Sequence, residues 1–230
     1  MAGLLLRTGV VALAAALSTG LGTGLGTGMG SATAMTRSVP EPVILVHGWN
    51  GTPDAFAPMK TALEQAGHPT YAIDLPGEEN VANASAIAAL VEQVRQTHGA
   101  DKVSLVGHSM GGLSARHYLK SLGGAAKTLG YVSMGTGQRG YWPACLLPTA
   151  QGGQMCPTST FMRQLNSGDP TPGAVRYTVL ASSLDETRAD TIDGVACTAE
   201  LPGVQHADEP GNQLFIDAVL TVLDGRCPAP

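Results

Sequence analysis

Ser109 stands in the run Gly107-His108-Ser109-Met110-Gly111, with Gly112 directly after it. A serine hydroxyl is a weak nucleophile until a base lies within hydrogen-bond reach. What gives this pentapeptide weight is its flanks. Lys102–Val106 reads as a strand and Gly111–Leu122 as a helix. A sharp turn between such elements holds the serine on a strained backbone and lifts its hydroxyl above the sheet edge. Gly107 and Gly111 leave room for strand and helix to approach, and the helix N-terminus favours negative charge nearby. The chemistry on offer is nucleophilic attack, with an oxyanion forming beside the turn.

That chemistry needs a base, an acid to orient it, and donors for the oxyanion. Six histidines are available: His47, His68, His98, His108, His117 and His206. His47 closes the first strand, and His108 precedes the serine, with its side chain expected to point away from it. His68 and His98 fall at helix ends, where solvation is expected, and His117 is on the helix after the turn. His206 lies in a loop between the last strand candidate and the last helix, where the order nucleophile, acid, base places it. The acid then falls between Ser109 and His206. Asp185 follows a strand by a short loop, Ser182-Ser183-Leu184-Asp185. Asp190 and Asp193 lie further along and stay open as alternatives, as does Glu186; Asp169 precedes its strand and fits poorly. The oxyanion donors expected are the backbone N–H groups of Met110, directly after the serine, and of Trp49, in the loop His47-Gly48-Trp49-Asn50-Gly51. The Trp49 side chain could wall a pocket or be a buried structural tryptophan.

The elements that must carry these residues alternate. Val43–His47, Thr70–Asp74, Lys102–Val106, Thr128–Met134 and Val175–Leu180 read as strands, with a sixth near 194–201. The first is apolar throughout and β-branched, which suits a parallel strand buried on both faces. Helices are expected from Thr52-Pro53 to Ala66, over 83–98, over 111–122, briefly near 158–166, and over 211–223. The last should bury Leu214, Phe215, Ala218, Val219, Val222 and Leu223. The fold class is therefore α/β: an open, mostly parallel sheet with helices on both faces. The loop-rich stretch 135–174 reads as an insertion at the strand ends, where such sheets bind ligands. Its Tyr141, Trp142, Leu146, Leu147, Met155 and Phe161 can line a groove or pack beneath the loop. Within it, Gly135-Thr-Gly-Gln-Arg-Gly140 matches a dinucleotide-binding pattern. Tyr141-Trp142-Pro143 follows in place of a helix, so that reading is rejected.

Hydrophobic residues make up 43% of the 230-residue chain and charged residues 13%, so enough surface can be buried to oppose chain entropy. The net charge is −5 with no long basic run, which argues against a nucleic-acid partner. Residues 1–34 read as an export leader: Arg7 is their only charge, VVALAAAL is too short to span a bilayer, and Ala32-Thr33-Ala34 offers a cleavage pattern. Residues 35–230 form the expected domain. Cys145, Cys156, Cys197 and Cys227 all follow the leader, an even count that suits two disulfides. Pairing of neighbours, Cys145–Cys156 and Cys197–Cys227, is expected among the three possibilities. A metal site is disfavoured, since no CxxC occurs.

Taken together, VILVHGWNG, VSLVGHSMGG, YTVLASSLD and GVQHAD occur in the order of the small secreted bacterial lipases, and the chain resembles the class 2 triacylglycerol lipase family of the α/β-hydrolase fold. The resemblance covers roughly residues 40–223. It implies Ser109 as nucleophile, Asp185 as acid, His206 as base, and Trp49 and Met110 as oxyanion donors. It also implies a lipid or small ester substrate, no metal or organic cofactor, and no stable membrane insertion. A secreted monomer acting as a lipase or esterase is the expectation. An acyltransferase with the same triad, or a non-catalytic binding protein on this fold, are the alternatives. Where the smallest members have a short loop, this chain has the excursion around Cys145 and Cys156.

Overall fold

The computed structural model describes residues 40–186 and 190–229. The expected leader, 1–34, lies outside the described residues. Six strands form one sheet: β1 (Val43–Val46), β2 (Thr70–Ile73), β3 (Val103–His108), β4 (Thr128–Met134), β5 (Arg176–Ser182) and β6 (Cys197–Leu201). Their order across the sheet is β2-β1-β3-β4-β5-β6, and every pairing is parallel. The chain leaves β1 toward one edge and returns to β3 on its other side. The carboxyl ends of β1 and β3 therefore flank the switch point, where loops diverge and leave a crevice.

Alternation along each strand feeds a core on both faces of the sheet. Ile44 and Val46 of β1 join Val103 and Leu105 of β3 on one face; Val43 and Leu45 join Val106 on the other. The first face is covered by α2 (Asn80–His98), α3 (Met110–Ser121) and α4 (Thr160–Leu165), through Ile87, Val91, Leu113, Tyr118 and Met162. The second is covered by α1 (Ala57–Gln65), with a 3₁₀ turn before it, and α5 (Gln213–Leu223). Full burial of all four β1 side chains is why that strand reads as an unbroken apolar run.

Three expectations are corrected. Helix α2 starts at Asn80, three residues before the expected start, because the buried positions of its first turn are polar: Ser114 Oγ donates to Asn80 Oδ1 at 2.8 Å, and Asn83 Nδ2 donates to the Gly77 carbonyl at 2.9 Å. In α5, Leu214 is exposed and Ile216 takes its place against the sheet, beside Phe215 and Val219. Helical spacing turns Leu214 away once the helix starts at Gln213, where the Asn212 side chain caps it by accepting from the Leu214 amide. His68 is buried rather than solvated, with Nδ1 3.0 Å from the Glu41 carbonyl. The cysteines pair as expected, Cys145 with Cys156 and Cys197 with Cys227. No described helix is long and apolar enough to cross a membrane.

Candidate active site

The five residues singled out by sequence meet at one place. Trp49, Ser109, Met110, Asp185 and His206 all line a cavity of about 410 Å³, together with Leu113, Gly135, Gly137, Tyr141, Met155, Leu184, Glu186 and Gln205. The cavity lies at the carboxyl ends of the strands that flank the switch point.

Ser109 joins β3 to α3 with φ 54° and ψ −125°, a left-handed conformation that is strained for any residue with a β-carbon. Its amide is held by the Met134 carbonyl at 2.9 Å, and its own carbonyl receives the Gly112 amide at 3.1 Å. The turn closes only because its neighbours lack side chains. A β-carbon at Gly111 would strike the Val46 and His47 backbone, and one at Gly107 would strike Gly112. Met110 follows as the first residue of α3, so its N–H belongs to the unpaired set at a helix N-terminus.

The loop after β1 is fixed by His47. Its Nε2 accepts from the Leu75 amide at 3.2 Å, which leaves the proton on Nδ1 to donate to the Gly48 carbonyl at 2.9 Å. The Gly51 amide returns to the same carbonyl at 3.1 Å, and Asn50 takes φ 51°. The turn holds Trp49 at the cavity, where its indole Nε1 donates to the Gln151 carbonyl at 3.1 Å. The side chain is 41% exposed, so it walls the cavity rather than filling the core.

Asp185 and His206 come from separate loops that one hydroxyl joins. Ser182 Oγ accepts from the amides of Leu184 and Val204, at 3.2 and 3.1 Å, and donates to the Val204 carbonyl at 2.5 Å. The Asp185 amide closes the turn on the Ser182 carbonyl at 3.0 Å. Asp185 Oδ2 then lies 2.5 Å from His206 Nδ1. The carboxylate is buried, while the imidazole is 43% exposed and can meet a ligand. Of the alternatives, Glu186 lines the cavity beside Asp185, while Asp190 and Asp193 sit elsewhere. Asp190 accepts from the Arg139 amide at 3.2 Å, and the Asp193 carbonyl accepts from Thr171 Oγ1 at 3.2 Å; neither lines the cavity.

Two residues lie behind His206: His108, to which the sequence assigned no role, and Glu209, which it did not single out. His108 packs its ring 4.6 Å from that of His206, and its Nε2 is 2.9 Å from the His206 carbonyl. Burial, and next the neighbouring His206, pull its pKa down to about 3, so it acts as a neutral donor that pins the His206 backbone. Glu209, three residues after His206, is wholly buried, and burial pushes its carboxyl up to about 9. A charged residue followed by proline in a loop, Glu209-Pro210, gives no burial signal. Among the described residues, His108, His206 and Glu209 are the group whose ligand atoms converge, all within 4.8 Å. His206 Nδ1 already holds Asp185, and His108 Nε2 holds the His206 carbonyl.

The insertion divides. Tyr141 and Met155 line the cavity; Phe161 packs in the core, Leu147 packs partly against it, and Leu146 is 89% exposed. The rejected nucleotide pattern has a structural role. Buried Gln138 accepts from Arg116 of α3 at 2.9 Å and donates to Ser133 Oγ at 2.9 Å, which ties the Gly135–Gly140 loop to the helix behind Ser109.

Comparison with known proteins gives the same architecture. Residues 41–149 match the model of a family described as alpha/beta hydrolase fold. A triacylglycerol lipase of Pseudarthrobacter phenanthrenivorans is 38% identical over 87 residues, 33% of this chain and 27% of the relative. One from Burkholderia plantarii is 38% identical over 87 residues, 33% of this chain and 24% of the relative. The match thus spans about a quarter of the length of these curated relatives. The mature form of a Bacillus licheniformis lipase superposes with a TM-score of 0.67 at 18% identity, covering 81% of this chain and 93% of that one. With six parallel strands, helices on both faces and a serine at the turn after β3, the chain has the α/β-hydrolase fold.

Proposed function

We propose that the protein is a serine carboxylic-ester hydrolase of the lipase or esterase type, exported and active through an acyl-enzyme on Ser109. The observation that carries this reading is the bond from Asp185 to His206 at the wall of a cavity that Ser109 also lines, with Ser109 held strained at a helix N-terminus. The names of the matched relatives agree with it. Two disulfides suit an oxidising compartment and so support export.

In the proposed reaction His206 removes the Ser109 proton as Oγ attacks the ester carbonyl. Asp185, bonded at Nδ1, keeps the tautomer that leaves Nε2 to act as base, and it stabilises the imidazolium. The Met110 and Trp49 amides stabilise the oxyanion; each such donor is worth roughly 3–4 kcal/mol in turnover. His206 returns the proton to the leaving alcohol. Water then repeats the sequence on the acyl-enzyme and frees the acid. The apolar wall of Leu113, Met155, Leu184 and Tyr141 suits an acyl chain.

The test pairs a soluble p-nitrophenyl ester with an organophosphonate. The wild type should turn over the ester, and the phosphonate should label Ser109 and stop activity. Ser109→Ala should fold normally, resist labelling and lose about 10⁶ in turnover. Retention of more than about one part in a hundred of the rate removes Ser109 as nucleophile.

A further inference from the structure

Glu209 is a wholly buried ionisable group behind the site that the reaction above leaves unused. It lies in the 3₁₀ turn that begins at His206. Its Oε2 is 3.5 Å from His108 Nε2 and 3.9 Å from His206 Nδ1. The backbone of Gly135, at φ +53°, closes over it so tightly that a β-carbon there would collide with Glu209, Asp185 and His206. The Glu209 carboxyl faces the Asp185 carboxyl and the Ser182 backbone, though neither of its oxygens reaches ordinary hydrogen-bond geometry among the described residues. Among the described residues, the ionisable groups facing it are His108 from the end of β3, Asp185 from the turn after β5, and His206 from its own turn; His47, just after β1, acts on His108.

A buried carboxylate with so few donors is costly, so such a group keeps its proton; the Ser182 backbone opposes this but does not offset burial. Burial, and after it the Asp185 charge, raise the Glu209 carboxyl, as two acids in one pocket require. A protonated carboxyl is a donor, and Asp185 is the anion it faces.

We propose that Glu209 is a positioning residue: it presents a carboxyl O–H to the Asp185 carboxylate, so that the buried acid pair carries one negative charge behind His206. The role rests on the ester-hydrolase reading. One negative charge matches the one positive charge that His206 gains from the serine proton. A second would hold a proton on His206 before substrate arrives, and the ring would no longer serve as base. The Glu209 proton stays in place through the cycle; the proton that moves travels from Ser109 to His206 to the leaving alcohol.

Two variants and one direct measurement test this. Glu209→Gln keeps the shape and an N–H donor but cannot ionise; Glu209→Ala loses both. Glu209→Gln should hold kcat within about threefold of wild type at neutral pH, while Glu209→Ala should lower kcat roughly 10-fold to 100-fold with KM little changed, as loss of a donor to a charged group implies. Wild-type activity should fall as pH rises through about 9, where Glu209 ionises, and Glu209→Gln should lack that decline. Stability gives a readout that needs no activity. Between the ordinary glutamate range and about 9 the folded protein binds a proton that the unfolded chain has released, so wild-type stability falls as pH rises across that window. Glu209→Gln should flatten that slope. In the wild-type protein, infrared spectroscopy at neutral pH should show the C=O stretch of a buried protonated carboxyl, lost on alkaline titration.

Absence of that band overturns the proposal whether or not the protein hydrolyses esters. So does a Glu209→Gln variant whose pH profiles superimpose on the wild type, or whose kcat is as low as that of Glu209→Ala. Absence of ester hydrolysis with the band present overturns the hydrolase reading and with it the positioning role, and leaves the protonated carboxyl standing.

Discussion

Two histidines act as clamps at the site, His47 on the Gly48 carbonyl and His108 on the His206 carbonyl. Neither lines the cavity, yet each fixes a loop that does. The assignment that depends most on such detail is the acid. Asp185 is buried and bonded to His206, while Asp190 serves the Arg139 amide on the outside of the insertion. Substitution to asparagine separates the roles by size of effect. Asp185→Asn keeps the geometry but favours the wrong histidine tautomer, so turnover should fall by about 10⁴ with the thermal midpoint little changed. Asp190→Asn and Asp193→Asn should change stability by under about 0.5 kcal/mol and leave activity near normal. A soluble-ester assay on the three single variants decides it; a large loss at Asp190 or Asp193, with Asp185→Asn active, moves the acid.

At the scale of elements, the periodic parts of the chain were readable and the irregular parts were not. Val43–Val46 was legible because burial on both faces leaves no polar position to confuse the pattern. The strand–serine–helix turn was legible because glycine is the one residue that fits at 107 and 111. The first turn of α2 was hidden, since Asn80 and Asn83 are buried for hydrogen bonds rather than for apolarity. Glu209 was hidden for a similar reason: its burial comes from Gly135 and His108, both far away in sequence. The insertion is held by contacts that have no period: Arg116 to Gln138, Trp49 to Gln151, and the Cys145–Cys156 bridge. The two bridges should differ in what they support. Cys145–Cys156 clips the segment that carries Tyr141 and Met155 to the cavity, whereas Cys197–Cys227 ties β6 to the residues after α5. Their separations are 11 and 30 residues, so chain entropy favours the second by about 1 kcal/mol. Replacing Cys197 and Cys227 by Ser should therefore lower the thermal midpoint more and leave KM unchanged. Replacing Cys145 and Cys156 by Ser should raise KM for long-chain esters. Thermal melts and ester kinetics on the two double variants check this, and the reverse pattern would show that the clip does not shape the cavity.

For the molecule as a whole, the proposed reaction takes its reacting groups from the ends of the sheet and its walls from the insertion and α3, so acyl preference is expected to follow the insertion and α3. The cavity of about 410 Å³ is bounded on its apolar side by Leu113 of α3 and by Tyr141 and Met155 of the insertion. Burying one methylene is worth about 0.8 kcal/mol, a rate factor of about four in kcat/KM when the gain is realised in the transition state. Along a series of p-nitrophenyl esters, kcat/KM should therefore climb by up to about fourfold per methylene until the wall is reached, then level off. Residues that form the wall set where it levels off; residues outside it do not. Leu146 is 89% exposed and Leu147 packs partly against the core, and neither lines the cavity. Leu146→Ser and Leu147→Ser should leave the chain-length profile in place. Met155→Trp narrows the cavity and should move the plateau to shorter acids, while short esters keep their rate because Ser109, Asp185 and His206 are untouched. The series is measured below the solubility limit of each ester, so that the profile reports the cavity alone. A plateau that moves with Leu146→Ser and stays fixed with Met155→Trp would place the acyl chain on the outer face of the insertion instead of in the cavity.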